Sequence, residues 1–482
     1  MITNKNPNVS TLGAVNTIVI CCDTLRADVV DHTWEDHVDT PHLDRLRETS
    51  TVFNNAWGEG EPTIPMRRGF FTGMRSYPWR FHIDDRGSVP NIYGWHAIPT
   101  EQTTLAEHLL LNGVATGLVA DVYHMFKPTM NFTRGFMSYD YIRGQESDRV
   151  RSGPLSAINM KPYLPDEIAN PTDRPGIAQY LLNMQDRRGE EDYLAPRVFR
   201  SAARWIQDNY ENQPFFLWID SFTPHECWDP PMHFADRYFK AEGVRDYIYP
   251  QMVQNHKTLT DDEIRRTKAL YYGYVTFVDK WIGYLLNVLT DLELWDDTVI
   301  CFVSDHGTEL MDHTQFGKTA DAMHPYNCRL NFWIHHPDPA YHGKTIDAYV
   351  QNIDLMPTIL SLFGIESEAV DGHNLMPVMS GSQEGQRDHV ITGWATTAGI
   401  RTPEWLLMLE TANADTNPRL FHSVNDPKEE HNVAAAHPEV VSQLQGKLED
   451  LIGDSLPTTY THQPTVEHNA TFAQWAQSNL VR

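Results

Sequence analysis

Lysine is scarce, cysteine scarcer, and no run of about 18 consecutive apolar residues occurs in this chain of 482 residues. The missing apolar run excludes an ordinary membrane-spanning helix. The opening stretch MITNKNPNVSTLGAVN lacks the basic start and apolar core of a secretory signal, so a soluble, cytoplasmic protein is expected. Cys21, Cys22, Cys227, Cys301 and Cys328 form an odd, scattered set without CxxC spacing. That pattern indicates neither a disulfide framework nor a structural zinc site, and a reducing compartment is the default. Cationic charge is also short: 38 Lys and Arg face 64 Asp and Glu, a formal net charge of −26. Such an excess repels phosphate backbones and anionic lipid, so neither nucleic acid nor membrane is an expected partner. The low lysine content would also suit a high-salt milieu.

What is present is enough to fold. Hydrophobic residues make up 41% and aromatics 11%, and the length allows two or three domains, or one large α/β domain with a smaller companion. TIVICC (17–22) has the continuous apolar character of a buried parallel strand, which puts Asp23 at a strand's carboxyl end. TPHLDRLRETS (40–50) reads as a helix that begins with a Thr-Pro cap. Strand TVFNNAW, helix TTLAEHLLLNG, strand ATGLVAD, helix PRVFRSAARWIQDN, strand PFFLWIDSF, a long helix over about 259–294 and strand TVICFVSDHG follow in alternation. The expected fold is α/β, a large, mixed but mainly parallel sheet sandwiched by helices. A smaller C-terminal α+β domain is expected over 382–482, after a catalytic domain over 1–381. It would hold strands HVITGWATT, EWLLMLE and RLFHSV, helix EVVSQLQGKLEDLIG, and an arm from Pro457 to Arg482.

The candidate chemistry gathers at strand ends, where an open α/β sheet binds its ligand. In EPTIPMRRGFFTG, Thr63 precedes Pro65 and Arg67 at a helix start, where free N–H groups favour an alkoxide and the arginine fork can hold anionic oxygens. Alone, Thr63 reads as a helix cap. In SDHGTELMDHTQFGK, Asp305 and His306 offer a hard oxygen and an imidazole nitrogen side by side. With Asp23 and the Thr63 oxygen they would make a four-residue divalent-metal site that activates the hydroxyl. His225, in DSFTPHECWDPP, is a candidate general acid, and Lys318 and His313 could neutralise charge on a transferring group. A second metal would need Asp220 and His225 with His313 or His324.

These segments together resemble the sulfatase family of the alkaline phosphatase superfamily, as do TPHLDRL, NIDLMPTILSLFGI, DGHNLMPVMSG and FHSVNDPKEEHNVA. The resemblance runs along most of the chain. It implies an alkaline phosphatase-like fold, Asp23, Asp305 and His306 as metal ligands, Thr63 in the nucleophile position, Arg67 as its stabiliser, and His225 and Lys318 as substrate or leaving-group contacts. The chain departs from the family at Thr63, where typical sulfatases carry Cys or Ser oxidised to formylglycine. Threonine would give a ketone, so no formylglycine is expected. At Thr24 many sulfatases have a second aspartate, and its absence shifts the expected ion from calcium, which remains an alternative, toward manganese or zinc. The lysine that many sulfatases place after the ATGLVAD strand is missing from DVYHMF, leaving Asp121, His124 and the stretch YIRGQESD (141–148) as a substrate pocket or, equally, a salt-bridged loop.

The expected activity is metal-dependent hydrolysis of phosphate or phosphonate esters, in the manner of a phosphodiesterase, with Thr63 as nucleophile on a small anionic ester. Sulfate-ester hydrolysis by the unmodified hydroxyl is the alternative, and a non-catalytic anion-binding protein is another. Association into a homo-oligomer stays open.

Overall fold

β1 (Asn16–Cys22) is buried along its whole length, and its side chains divide between two cores. Ile18, Ile20 and Cys22 enter one, Val19 and Cys21 the other. A strand buried on both faces needs helices on both faces, and the chain supplies them. In the computed structural model, which describes residues 15–79, 93–127, 130–171 and 174–458, β1 lies at the centre of an eight-stranded sheet. The other strands are β2 (Ser50–Phe53), β3 (Ala115–Ala120), β4 (Ser138–Tyr141), β5 (Phe215–Ser221), β6 (Thr298–Ser304), β7 (Phe332–His335) and β8 (Lys344–Ile346). Their spatial order is β8-β2-β7-β6-β1-β5-β3-β4, and β7 alone runs against the rest. The fold is therefore the mixed, mainly parallel α/β sandwich expected.

Six helices matter here: α1 (Pro41–Glu48), α2 (Ile64–Thr72), α3 (Leu105–Leu111), α4 (Leu194–Asn209), α5 (Asp261–Asp291) and α6 (Pro438–Ile452). α5 begins with a capping box in which Thr260 and Glu263 satisfy each other's backbone N–H. It packs against α1 and α4 on one face of the sheet, while Phe70 of α2 and Leu105 and Leu109 of α3 fill the core on the other. Among the described residues no helix is long and apolar enough to cross a membrane.

Beyond the polar, exposed stretch around 381–388, a second sheet forms from β9 (Val390–Trp394), β10 (Thr397–Arg401), β11 (Trp405–Glu410) and β12 (Arg419–His422), all antiparallel, with Leu444 and Leu448 of α6 buried alongside. Two details differ from the sequence reading. The expected strand through Thr397 is a hairpin whose second arm is Thr397–Arg401, and TVFNNAW breaks after Phe53 at a turn over Asn54 and Asn55. This sheet also takes a two-residue strand from far upstream, Gly60–Glu61, parallel to β9. The C-terminal unit is thereby pinned to the segment just ahead of Thr63. The expected C-terminal arm lies almost wholly outside the described residues.

Candidate active site

Register alone brings the acidic residues together. Cys22 of β1 lies opposite Ser304 of β6 and Ser221 of β5, so the next residue on, Asp23, stands beside Asp305, with Asp220 opposite Cys21, two residues back. The Asp23 amide donates to the Ser221 carbonyl at 2.9 Å, extending the strand by one bond. Gly307 follows His306 because the Tyr326 carbonyl passes so close that a Cβ would lie 2.0 Å from its oxygen.

Thr63 takes φ 48° and ψ −80° at the N-cap of α2, and its side chain makes no capping bond. A β-branched residue in the left-handed region is strained by about 1–3 kcal/mol. The strain leaves Oγ1 free of the helix and turned toward His306, 3.5 Å from Nε2. His306 Nδ1 lies 2.9 Å from the Gly307 carbonyl. That bond puts the ring proton on Nδ1 and the Nε2 lone pair toward Thr63, Asp23 and Asp305.

Arg67 differs from its expected role. Nε and Nη2 donate to Asp220 at 3.0 and 2.7 Å, Nη1 donates to Asp305 at 2.6 Å and to the Thr63 carbonyl at 3.1 Å, and Nη2 lies 3.1 Å from Asp23. With four of its five donors in hydrogen bonds to Asp220, Asp305 and the Thr63 carbonyl, an ion-pair contact to Asp23 and no exposure, it holds the carboxylates rather than an incoming anion. Three carboxylates against one guanidinium leave two negative charges. Burial, and then the Asp305 charge, push Asp23 well above the usual carboxylate range. Burial would raise Asp305 too, but His306 and Arg67 hold it low. The pair thus shares a proton unless a dication replaces it. Asp23 Oδ2 has no hydrogen-bond donor, and ligand atoms of Asp23, Asp305 and His306 lie within 4.8 Å of one another. Two carboxylates and one imidazole with an orphaned oxygen fit a divalent cation.

Opposite stands a wall of ionised groups. Lys318 Nζ donates to Glu226 at 2.6 Å and to the Thr24 hydroxyl at 3.2 Å, and Thr24 in turn donates to Asp23 at 2.8 Å. Thr24 thus occupies the place of the second aspartate as a hydrogen-bonding link. Despite burial, Lys318 and His225 bring Glu226 down to about 2. His225 stacks on Phe222 at 4.1 Å and donates from Nδ1 to the Glu226 carbonyl at 2.6 Å. Burial and then Lys318 lower its pKa to about 4.

Two of the three expected pocket residues fall differently. Asp121 is fully buried and accepts from the Phe222 amide at 2.6 Å and from Gln145 at 2.8 Å, so it clamps the loops rather than meeting a ligand. Burial brings it to about 7. His313 turns to the C-terminal unit, Nδ1 on the Tyr326 hydroxyl and Nε2 3.1 Å from the Glu429 carbonyl. There it lines a separate cavity of about 230 Å³ with His324 and Glu309. Among the described residues Asp220, His225 and either histidine do not assemble into a second metal group, because Arg67 holds Asp220 and Glu429 takes His324. His124 does line the wall, and Lys127, one turn on, brings Nζ to within 3.1 Å of its Nδ1. An ammonium thus reaches the histidine from three residues downstream, an offset that a fixed motif misses.

Glu61 carries no motif at all. Both its oxygens are buried without a hydrogen-bond donor, and burial, then the charges of Asp305, Glu59 and Asp23, hold its carboxyl well above the usual range. A raised folded pKa means that the folded chain keeps a proton that the unfolded chain loses, so stability falls as pH rises past the ordinary glutamate value. Glu61→Gln is expected to flatten that fall by ~1 kcal/mol or more between about pH 5 and about pH 8, measured by urea denaturation.

The Sulfatase family model matches residues 15–365, and the model of the N-sulphoglucosamine sulphohydrolase C-terminal region matches residues 312–454, starting well ahead of the expected boundary at 382. The chain is similar to arylsulfatase K of Bos taurus, 29% identical over 96% of this chain and 86% of that protein. It is also similar to the multifunctional alkaline phosphatase superfamily protein PehA of Trinickia caryophylli, 25% identical over 76% of this chain and 77% of that one. The phosphonate monoester hydrolase of Agrobacterium radiobacter shares the alkaline phosphatase-like fold, with a TM-score of 0.69 and 18% identity over 91% of this chain and 95% of that one.

Proposed function

The chain belongs to the sulfatase family and is an ester hydrolase, and from that premise we propose that it cleaves sulfate monoesters of small alcohols or phenols with the unmodified Thr63 hydroxyl as nucleophile. The observation that carries the reading is Thr63 itself, strained, uncapping, and 3.5 Å from His306 Nε2. The arylsulfatase relatives weigh toward sulfate rather than toward the phosphate or phosphonate ester that threonine alone suggests.

Asp23, Asp305, His306 and the Thr63 oxygen would hold a divalent cation, manganese or zinc ahead of calcium given the imidazole and the missing second aspartate. When bound, the cation supplies positive charge that lowers the pKa of the hydroxyl and offsets charge on the ester oxygens. Thr63 Oγ1 bonds to sulfur while the sulfur–alcohol oxygen bond breaks. The departing oxygen takes a proton from His225, the Thr63 proton passes to solvent, and His225 regains a proton from solvent. Water then attacks sulfur, freeing sulfate and returning the hydroxyl. Lys318 faces the anionic ester, and Arg67 fixes Asp220, Asp305 and the Thr63 carbonyl in place.

A second reading, phosphate or phosphonate ester hydrolysis at the same hydroxyl, is favoured by the same threonine. It offers no route to formylglycine, and a covalent adduct is released more readily from phosphorus. Parallel turnover of aryl sulfates, phosphate mono- and diesters and phosphonates separates the two. Asp305→Ala is expected to lose the bound metal, measured by elemental analysis of the purified protein. Unchanged metal content would remove the site.

A further inference from the structure

Glu146 adopts φ +40°, a conformation that side-chain-bearing residues rarely take. Such strain persists only where the surroundings hold it, and three clamps do so here. Asp148 accepts from Arg143 Nη2 at 2.5 Å, from the Tyr141 hydroxyl at 3.0 Å and from the Gly144 amide at 3.0 Å. Gln145 donates to Asp121 at 2.8 Å, and Ser147 meets the Tyr123 hydroxyl at 3.0 Å. Between these anchors the Glu146 carboxylate is held between two histidines, Oε2 3.3 Å from His124 Nε2 and Oε1 3.7 Å from His225 Nδ1.

The role of His225 depends on the charges around its ring. Nδ1 is spent on the Glu226 carbonyl, so Nε2 is the atom left to give a proton to a leaving group. An acid in that place has to be doubly protonated before it acts, and burial and the Lys318 ammonium both oppose this. The Glu226 carboxylate lies 3.3 Å from Nδ1, but its Oε2 is already taken by Lys318 at 2.6 Å. Phe222 covers the ring face without charge. On its own side Glu146 is faced by His124, with Lys127 behind it, and by the phenols of Tyr123 and Tyr249.

We propose that Glu146 is a positioning residue for ester cleavage, its carboxylate easing the protonation of His225, the acid that gives a proton to the departing alcohol. The inference rests on the role given to His225 above. As the sulfur–oxygen bond breaks, the Nε2 proton passes to the alcohol oxygen and the ring becomes neutral. Glu146 lowers the cost of taking the next proton. A group that acts in this way matters for poor leaving groups and hardly at all for good ones, which need no proton.

The test compares phenyl sulfate with 4-nitrophenyl sulfate in the wild type and in Glu146→Gln, which keeps the shape and removes the charge. The alkaline limb of kcat for phenyl sulfate is expected to move down by about one pH unit, a loss of about tenfold on that limb, while 4-nitrophenyl sulfate changes by less than about threefold. In a His225→Ala background, Glu146→Gln is expected to add nothing. Wild-type turnover that disappears in Thr63→Ala tests the underlying reading by itself. Equal losses on the two esters, no loss on either, or a further loss in the His225→Ala background would each overturn the inference alone.

Discussion

Thr63→Ala is expected to reduce turnover by on the order of 10³-fold or more while leaving the fold and the metal content intact. The hydroxyl contributes no cap to α2, so its removal costs the helix nothing directly. Alanine also relieves part of the strain that a β-branched side chain carries at φ 48°. Thermal stability should therefore hold or rise as activity disappears, a pairing that marks a site kept for chemistry. Thr63→Ser should keep part of the turnover, because it retains the oxygen and drops only a methyl group. Steady-state kinetics beside thermal denaturation of the same preparations read both halves.

Arg67→Ala is expected to destabilise the protein by about 3–5 kcal/mol, because it strips the guanidinium from three buried carboxylates at once. Asp220 would lose two charge-assisted bonds and Asp305 one, and both side chains are fully buried. The cost should be greatest near neutral pH. Asp305 is held below its unfolded pKa in part by Arg67, so its share of the stability is present above the unfolded value and lost as pH falls through the folded one. Added manganese or zinc should recover part of the loss. Urea titrations at two pH values, with and without metal, measure each term. An unchanged midpoint would mean that the carboxylates do not depend on Arg67.

The sequence carried the centre of the molecule better than its margins. β1, β5 and β6 are largely apolar runs, as buried parallel strands require, with an aspartate at or just past each carboxyl end, so their parallel packing and the meeting of Asp23 with Asp305 were legible. Thr63, Arg67 and His306 stood out through their neighbours in the chain. The strand Thr397–Arg401 did not, because TAGIR offers Gly and Ala where a strand would show branched or aromatic residues. Gly60–Glu61 is too short to carry any period, yet it joins the C-terminal sheet to the segment that carries Thr63. Arg67 was misread because arginine at a helix start suggests an anion site until the three carboxylates that consume it are located. Glu146 and Lys127 come from loops whose geometry depends on distant clamps, and His313 was assigned by nearness in sequence to the metal pair while its ring turns the other way.

Intact-mass analysis of protein quenched in acid during turnover of an aryl sulfate tests the central claim most directly. The account predicts an unmodified chain before turnover, and during turnover an added SO3 group on the peptide that carries Thr63, absent from Thr63→Ala. An aryl sulfate turned over at full rate by Thr63→Ala, with no adduct on that peptide, would contradict it.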